Sequence, residues 1–308
     1  MPTQETRPKI KNNRNALDTG NKQCKTAIKQ FFGNFMWMIG NLPNEKQVAI
    51  HAILNHLVRS SDYLDLESTD GLPLDVWCEF RDDLSDAFQG QFTSLDLVAL
   101  VDAANKFNVP RQYFFDVLEG VDTWIRNRGF QTFDDLLVFA YRMGGAPLAA
   151  SVPVCGYVKD GYEEAAIKAG QAIFLTQILA NMVQDIKLNK MYFAREDIEA
   201  TEVSIARIKV RQSNKELRHL IRLYGSRIEK LMYQGGALVN FLDFDGRRCF
   251  TSLVAVHWAM LMKMRLRPES VLNPEGILSR REMFLFKSRH FMGLEGNVPV
   301  IPEVHNDH

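Results

Sequence analysis

The sequence predicts an all-α fold, a single helical bundle whose helices surround a central apolar cavity. Three observations carry this expectation. From Cys24 onward apolar residues recur at three- and four-residue steps. Short breaks marked by Pro and Gly separate the periodic stretches. Alternating apolar and polar runs joined by hairpin dipeptides are missing.

Residues 1–22 are polar and aperiodic, with Arg7, Lys9, Lys11 and Arg14, and read as a flexible head. Residues 23–293 form the helical domain and 294–308 a C-terminal tail. Helices are predicted over 24–39, 44–66, 74–88, 94–107, 110–126, 132–155, 162–187, 195–233, 246–265 and 278–292. Asn41-Leu42-Pro43, Gly71-Leu72-Pro73, Asn108-Val109-Pro110 and the run Asp243 to Gly246 give the clearest breaks. In 246–265, Phe250, Leu253, Val254, His257, Leu261 and Met264 fall on one broad face, which reads as core, His257 included. The aromatic and Met-rich run from Phe31 to Met38 reads as core by the same reasoning.

A chain of 308 residues that is 46% hydrophobic can bury a sizeable core. Its 37 basic and 37 acidic residues cancel, which argues against nucleic acid as the main partner. Cys24, Cys78, Cys155 and Cys249 lie far apart without a CxxC pair, so neither a disulfide framework nor a zinc site is predicted, and a reducing compartment is expected. No run of 18 apolar residues and no apolar leader appear. A cytoplasmic protein, free or peripheral to a membrane, is the expectation.

Carboxylates and amides recur at helical spacing in two places. Asn181 and Asp185 (i, i+4) share a helix face, and so do Asp62 and Asp65 (i, i+3). Two such helices facing each other would make a carboxylate-lined mouth.

Four stretches together resemble the squalene/phytoene synthase family of head-to-head prenyl synthases. The first runs Asn34-Phe35, Leu42-Pro43, Ala49-Ile50 and Arg59-Ser60-Ser61-Asp62-Tyr63-Leu64-Asp65-Leu66-Glu67. The second is Phe107-Asn108-Val109-Pro110, Phe114 and Leu118-Glu119-Gly120. The third is Thr132-Phe133-Asp134-Asp135-Leu136 with Phe139-Ala140-Tyr141-Arg142 and Gly145. The fourth is Gly170-Gln171-Ala172, Leu175-Thr176-Gln177, Asn181, Gln184-Asp185 and Lys190-Met191-Tyr192. Arg247-Arg248 and Leu278 to Arg281 fall where the family's C-terminal part would put them. The resemblance covers residues 24–292.

The resemblance implies that two prenyl diphosphates (farnesyl, geranylgeranyl or presqualene diphosphate) react at their C1 carbons, with magnesium neutralising the departing diphosphate and an apolar cavity sheltering the cation. It implies Asp62, Asp65, Asn181 and Asp185 as metal ligands, Asp62, Asp65, Asp185 and Tyr141 as catalytic residues, and Arg59, Arg128, Gln177, Lys190 and Tyr192 as substrate contacts. No Gly-rich dinucleotide fingerprint supports NADPH, although some relatives use nicotinamide without one. Several positions depart from the family pattern. Leu66 and Asn181 replace Asp, Gln184 replaces Glu, Ala180 replaces Arg, Gln177 replaces Asn, and Trp124 stands where an Asp is expected. These departures keep a second expectation open, a catalytically degenerate relative that binds an isoprenoid or serves as an assembly factor.

Overall fold

The computed structural model describes residues 9–33, 35–66, 74–273 and 276–294, with only the backbone of Asp65, Leu66 and Leu74. Among the described residues the fold is helical, and β-pairing is confined to the isolated bridges Ile10–Phe92 and Tyr157–Leu242.

Thirteen α-helices are described. They are α1 (Arg14–Phe32), α2 (Asn44–Leu66), α3 (Leu74–Ala87), α4 (Leu95–Lys106), α5 (Gln112–Asn127), α6 (Phe133–Ala140), α7 (Ala146–Cys155), α8 (Glu163–Lys187), α9 (Arg195–Thr201), α10 (Ile205–Lys209), α11 (Lys215–Gly236), α12 (Phe244–Leu266) and α13 (Arg280–Phe291). Their starts follow from side-chain caps. Asn13, Asn214 and Asp243 accept backbone N–H bonds from the first turns of α1, α11 and α12. Thr132 with Asp135 and Ser279 with Glu282 form capping boxes on α6 and α13.

α8 is the central helix. Ala169, Ala172, Leu175, Leu179 and Met182 lie in the core on it. Small residues let its neighbours approach: a Cβ on Gly170 would sit 2.3 Å from the Gly144 carbonyl oxygen, and one on Gly235 of α11 would sit 2.3 Å from the Ala169 nitrogen. Among the described residues α8 is the one helix long and apolar enough to cross a membrane, and 61% of its apolar window is buried inside the fold.

Three element boundaries differ from the sequence expectation. α1 begins at Arg14, so residues 14–22, assigned to the flexible head, are helix, with Ala16 and Gly20 buried. Gly20 makes this possible, because a Cβ there would meet the Leu95 carbonyl of α4 at 2.1 Å. The predicted helix over 195–233 is three helices, since Glu202 and Arg211 end α9 and α10 in left-handed conformation (φ 55° and 59°) and Asn214 starts α11 anew. The predicted helix over 132–155 is interrupted by a wide turn at Tyr141–Gly145, where the Ala146 N–H donates to the carbonyl of Tyr141 five residues back. Pro147, which has no N–H to give to Met143, follows directly.

Candidate functional site

An apolar cavity of about 700 Å³ lies between α2, α7, α8 and α12, within the size range of small-molecule sites. α2 contributes Ile50, Leu54, Leu57, Ser61 and Leu64, which follow one another at alternating four- and three-residue steps along a single face. α8 contributes Gly170, Phe174, Gln177, Asn181 and Asp185 in the same manner. The Lys46 Nζ donates to the Cys155 carbonyl oxygen at 2.8 Å and ties the start of α2 to the end of α7. Gly144 lies against Gly170 and Gly145 against Ile167, so the chain leading into α7 runs antiparallel to α8. The C-terminal ends of α2 and α8 therefore both lie at the opposite end of the cavity. That end is the mouth, where Asn181 and Leu188 are exposed.

Polar groups gather there. After α8, Asn189 takes a left-handed conformation (φ 58°) and the Lys190 N–H donates to the Asp185 carbonyl at 2.8 Å. This turn folds Lys190 and Tyr192 back against the cavity, both buried to less than a tenth exposure. Burial pushes the Asp185 carboxyl up to about 7. Burial first, and then the Asp185 carboxylate, raise the Tyr192 phenol, and burial lowers the Lys190 ammonium. The Tyr192 ring rests on Trp124 at 4.6 Å between centroids. Trp124 is thus the wall behind Tyr192 and does not itself line the cavity.

Deeper in, Gln177 Nε2 lies 2.9 Å from His257 Nε2, and His257 Nδ1 lies 2.8 Å from the Leu253 carbonyl oxygen. The carbonyl can only accept, so Nδ1 carries the proton and Nε2 accepts from Gln177. Burial pushes His257 down to about 4, so it is a neutral group in the cavity wall.

The sequence-predicted residues divide into two groups. Gln177, Asn181, Asp185, Lys190 and Tyr192 come together at the cavity. Asp62 does not: it is exposed and lies beside the lining face, which Ser61 occupies. Arg59 is also turned away, paired with Asp96 of α4 and stacked over Phe80 at 5.2 Å. Tyr141 donates its hydroxyl to Asp116 of α5 outside the cavity lining. Arg128 is exposed in the left-handed residue that ends α5, next to Gly129, whose added Cβ would lie 3.8 Å from the Met191 carbonyl. It does not line the cavity. The side chain of Asp65 lies outside the described residues, and its backbone position is one turn beyond Ser61 on the same helix face. Sequence reasoning missed Ser61 and His257 as lining residues; the 50, 54, 57, 61, 64 apolar register of α2 was the signal for the first.

Among the described residues no cluster of three metal-type side chains exists. Among the described side chains, the mouth offers the carboxylate of Asp185 with the neutral oxygens of Asn181 and Ser61. Magnesium is commonly held by one or two carboxylates together with substrate phosphate oxygens and water. The described donors fit a magnesium ion that arrives with a diphosphate.

A helical bundle enclosing an apolar cavity with hard oxygen donors at its mouth defines the all-α terpenoid-synthase type of fold. Residues 29–282 match the model of the squalene/phytoene synthase family, and the chain belongs to that family. It is similar to the phytoene synthase of Mycobacterium tuberculosis, 26% identical over 247 residues that cover 77% of this chain and 79% of that one. Phytoene synthase 3 of Zea mays is 27% identical over 203 residues, 62% of this chain and 47% of its own. In three dimensions a dehydrosqualene synthase solved with a ligand superposes with a TM-score of 0.80 at 19% identity, over 91% of this chain and 98% of that one. A squalene synthase from Alicyclobacillus acidocaldarius superposes with a TM-score of 0.68 at 18% identity, over 89% and 97%.

Proposed function

We propose that the protein takes a prenyl diphosphate tail-first into the cavity, holds the diphosphate at the mouth, and joins or rearranges prenyl groups in the head-to-head manner of its family. The observation that carries this reading is the apolar cavity with Asn181, Asp185, Lys190 and Tyr192 gathered at its mouth. Burying a prenyl tail is worth about 0.8 kcal/mol per methylene taken from water, so the tail supplies most of the affinity. Lys190 opposes the diphosphate charge, and a buried site strengthens that attraction. Asp185, Asn181 and Ser61 would hold a magnesium ion brought in on the diphosphate. Magnesium supplies neutralisation of the charge that develops on the leaving group. The apolar walls then exclude water from the allylic cation.

A second reading has a specific observation in its favour. Ser61 and Asn181 bring no charge to the mouth, and Asp185 is held near 7. A protein that binds the isoprenoid without ionising it needs no more than this.

Incubation with farnesyl or geranylgeranyl diphosphate and magnesium, followed by assay of released inorganic diphosphate, separates the two. The first reading expects release that Asp185→Ala abolishes. Tight ligand binding with no release from farnesyl, geranylgeranyl or presqualene diphosphate contradicts it and supports the second.

A further inference from the structure

We propose that the outward face of α13 docks on the surface of an anionic lipid bilayer. α13 packs on α12 through Met283, Phe286 and His290, with His290 Nδ1 at 2.7 Å from Ser252 Oγ and Lys263 Nζ donating to Glu282 at 2.9 Å. The opposite face should be polar in a helix that meets only water. Instead Phe284, Leu285, Phe291 and Met292 project from it, each half or more exposed, and Leu294 continues the patch. Positions 284, 285, 288, 291 and 292 follow one another at one- and three-residue steps and form one stripe down the helix.

Basic residues border that stripe. Arg280, Arg281, Lys287 and Arg289 are all exposed, in a chain whose overall charge is zero. The one acid on the helix, Glu282, accepts from the Ser279 N–H at 2.7 Å and from Lys263, and these bonds hold its carboxyl down to about 2. Its charge is engaged by Lys263 and by the Ser279 cap. Arg248 of α12 donates to the His290 carbonyl at 2.7 Å and stacks over the exposed Phe244, which extends the same patch past the C-terminal end of α13.

An apolar stripe with cations on both flanks is what an interfacial helix requires: aromatic and aliphatic groups enter the acyl boundary while Arg and Lys reach lipid phosphates. A protein partner would have to offer acids on both sides of an apolar ridge; an anionic bilayer offers this geometry everywhere. None of these side chains lines the cavity. Docking and ligand uptake can therefore fail independently.

The test is co-sedimentation of the full chain with vesicles of phosphatidylglycerol and phosphatidylcholine, and with phosphatidylcholine alone. Binding to the first, weaker binding to the second, and loss with added salt are expected. Phe284→Ser with Phe291→Ser should weaken vesicle binding about tenfold or more. Arg281→Gln and Lys287→Gln should each weaken it about fivefold. Both sets should leave the melting temperature and the affinity for a prenyl ligand unchanged. No sedimentation with phosphatidylglycerol vesicles at low salt overturns the proposal, as do variants that bind as well as the parent. So does a concentration-dependent dimer that the Phe→Ser pair dissolves in the absence of vesicle binding.

Discussion

Gln177 donates to the neutral Nε2 of His257 at 2.9 Å, inside a cavity wall that is otherwise almost entirely hydrocarbon. The Phe35 ring stacks on the imidazole at 5.7 Å and shields the pair. A buried donor without an acceptor costs about 1–3 kcal/mol, more than a satisfied bond contributes. His257→Leu should therefore destabilise by that amount, and Gln177→Leu combined with His257→Leu should recover part of the loss. Urea unfolding of the two single variants and the double variant measures the coupling; strictly additive effects would contradict it.

Buried histidines make stability depend on pH. Burial pushes His56, which donates to the Phe114 carbonyl, and His257 down to about 4 from an ordinary 6.5. Across pH 4–6.5 the unfolded chain binds protons that the native chain refuses. Stability contributed by these residues is complete above 6.5 and falls as pH drops through that window, by up to about 3 kcal/mol per histidine. Thermal melts near pH 7.5 and pH 5 check the sign, and His257→Phe should flatten the slope.

Asp185 acts in the opposite direction. Its native carboxyl stays protonated up to about 7, against an unfolded value of 3.8, so ionisation of the unfolded chain erodes stability as pH rises through 3.8–7. Asp185→Asn should match the parent near pH 4 and exceed its stability by about 1–3 kcal/mol near pH 8. Chemical denaturation at the two pH values checks this. A variant less stable than the parent near pH 8 would show that the carboxylate is held by a compensating charge.

The contact between α8 and the wide turn at Tyr141–Gly145 leaves no room for a methyl group. Gly170→Ala would bring a Cβ to 2.3 Å from the Gly144 carbonyl oxygen, and backbone on both sides must move. A loss of about 2–4 kcal/mol is expected, read as a lower urea midpoint. Both glycines line the cavity, so prenyl-ligand affinity should fall with it.

Much of this architecture was legible in the sequence because helical periodicity, caps and Pro or Gly breaks are local signals. α2, α8 and α12 fall within one or two residues of their expected spans. The misses have non-local causes. α1 starts early because Gly20 lies against the backbone of α4, a contact no local pattern announces. At the site, Gln177, Asn181 and Asp185 of α8 all line the cavity. On α2 Ser61 lines the cavity and Asp62 is exposed beside it, since one residue turns a side chain through more than a quarter of a circle. Arg59 and Tyr141 were drawn away by Asp96 and Asp116, partners distant in sequence.

The central claim is that a diphosphate sits between the Ser61 face of α2 and Asp185 of α8, with its metal partly held by the latter. Titration calorimetry with a non-ionising thio analogue of farnesyl diphosphate tests it most directly, with and without magnesium. The account predicts that magnesium alone gives no binding heat, that magnesium tightens the analogue, that Asp185→Ala removes the magnesium effect, and that Asp62→Ala leaves it intact. A magnesium effect that survives Asp185→Ala and disappears in Asp62→Ala would contradict the account.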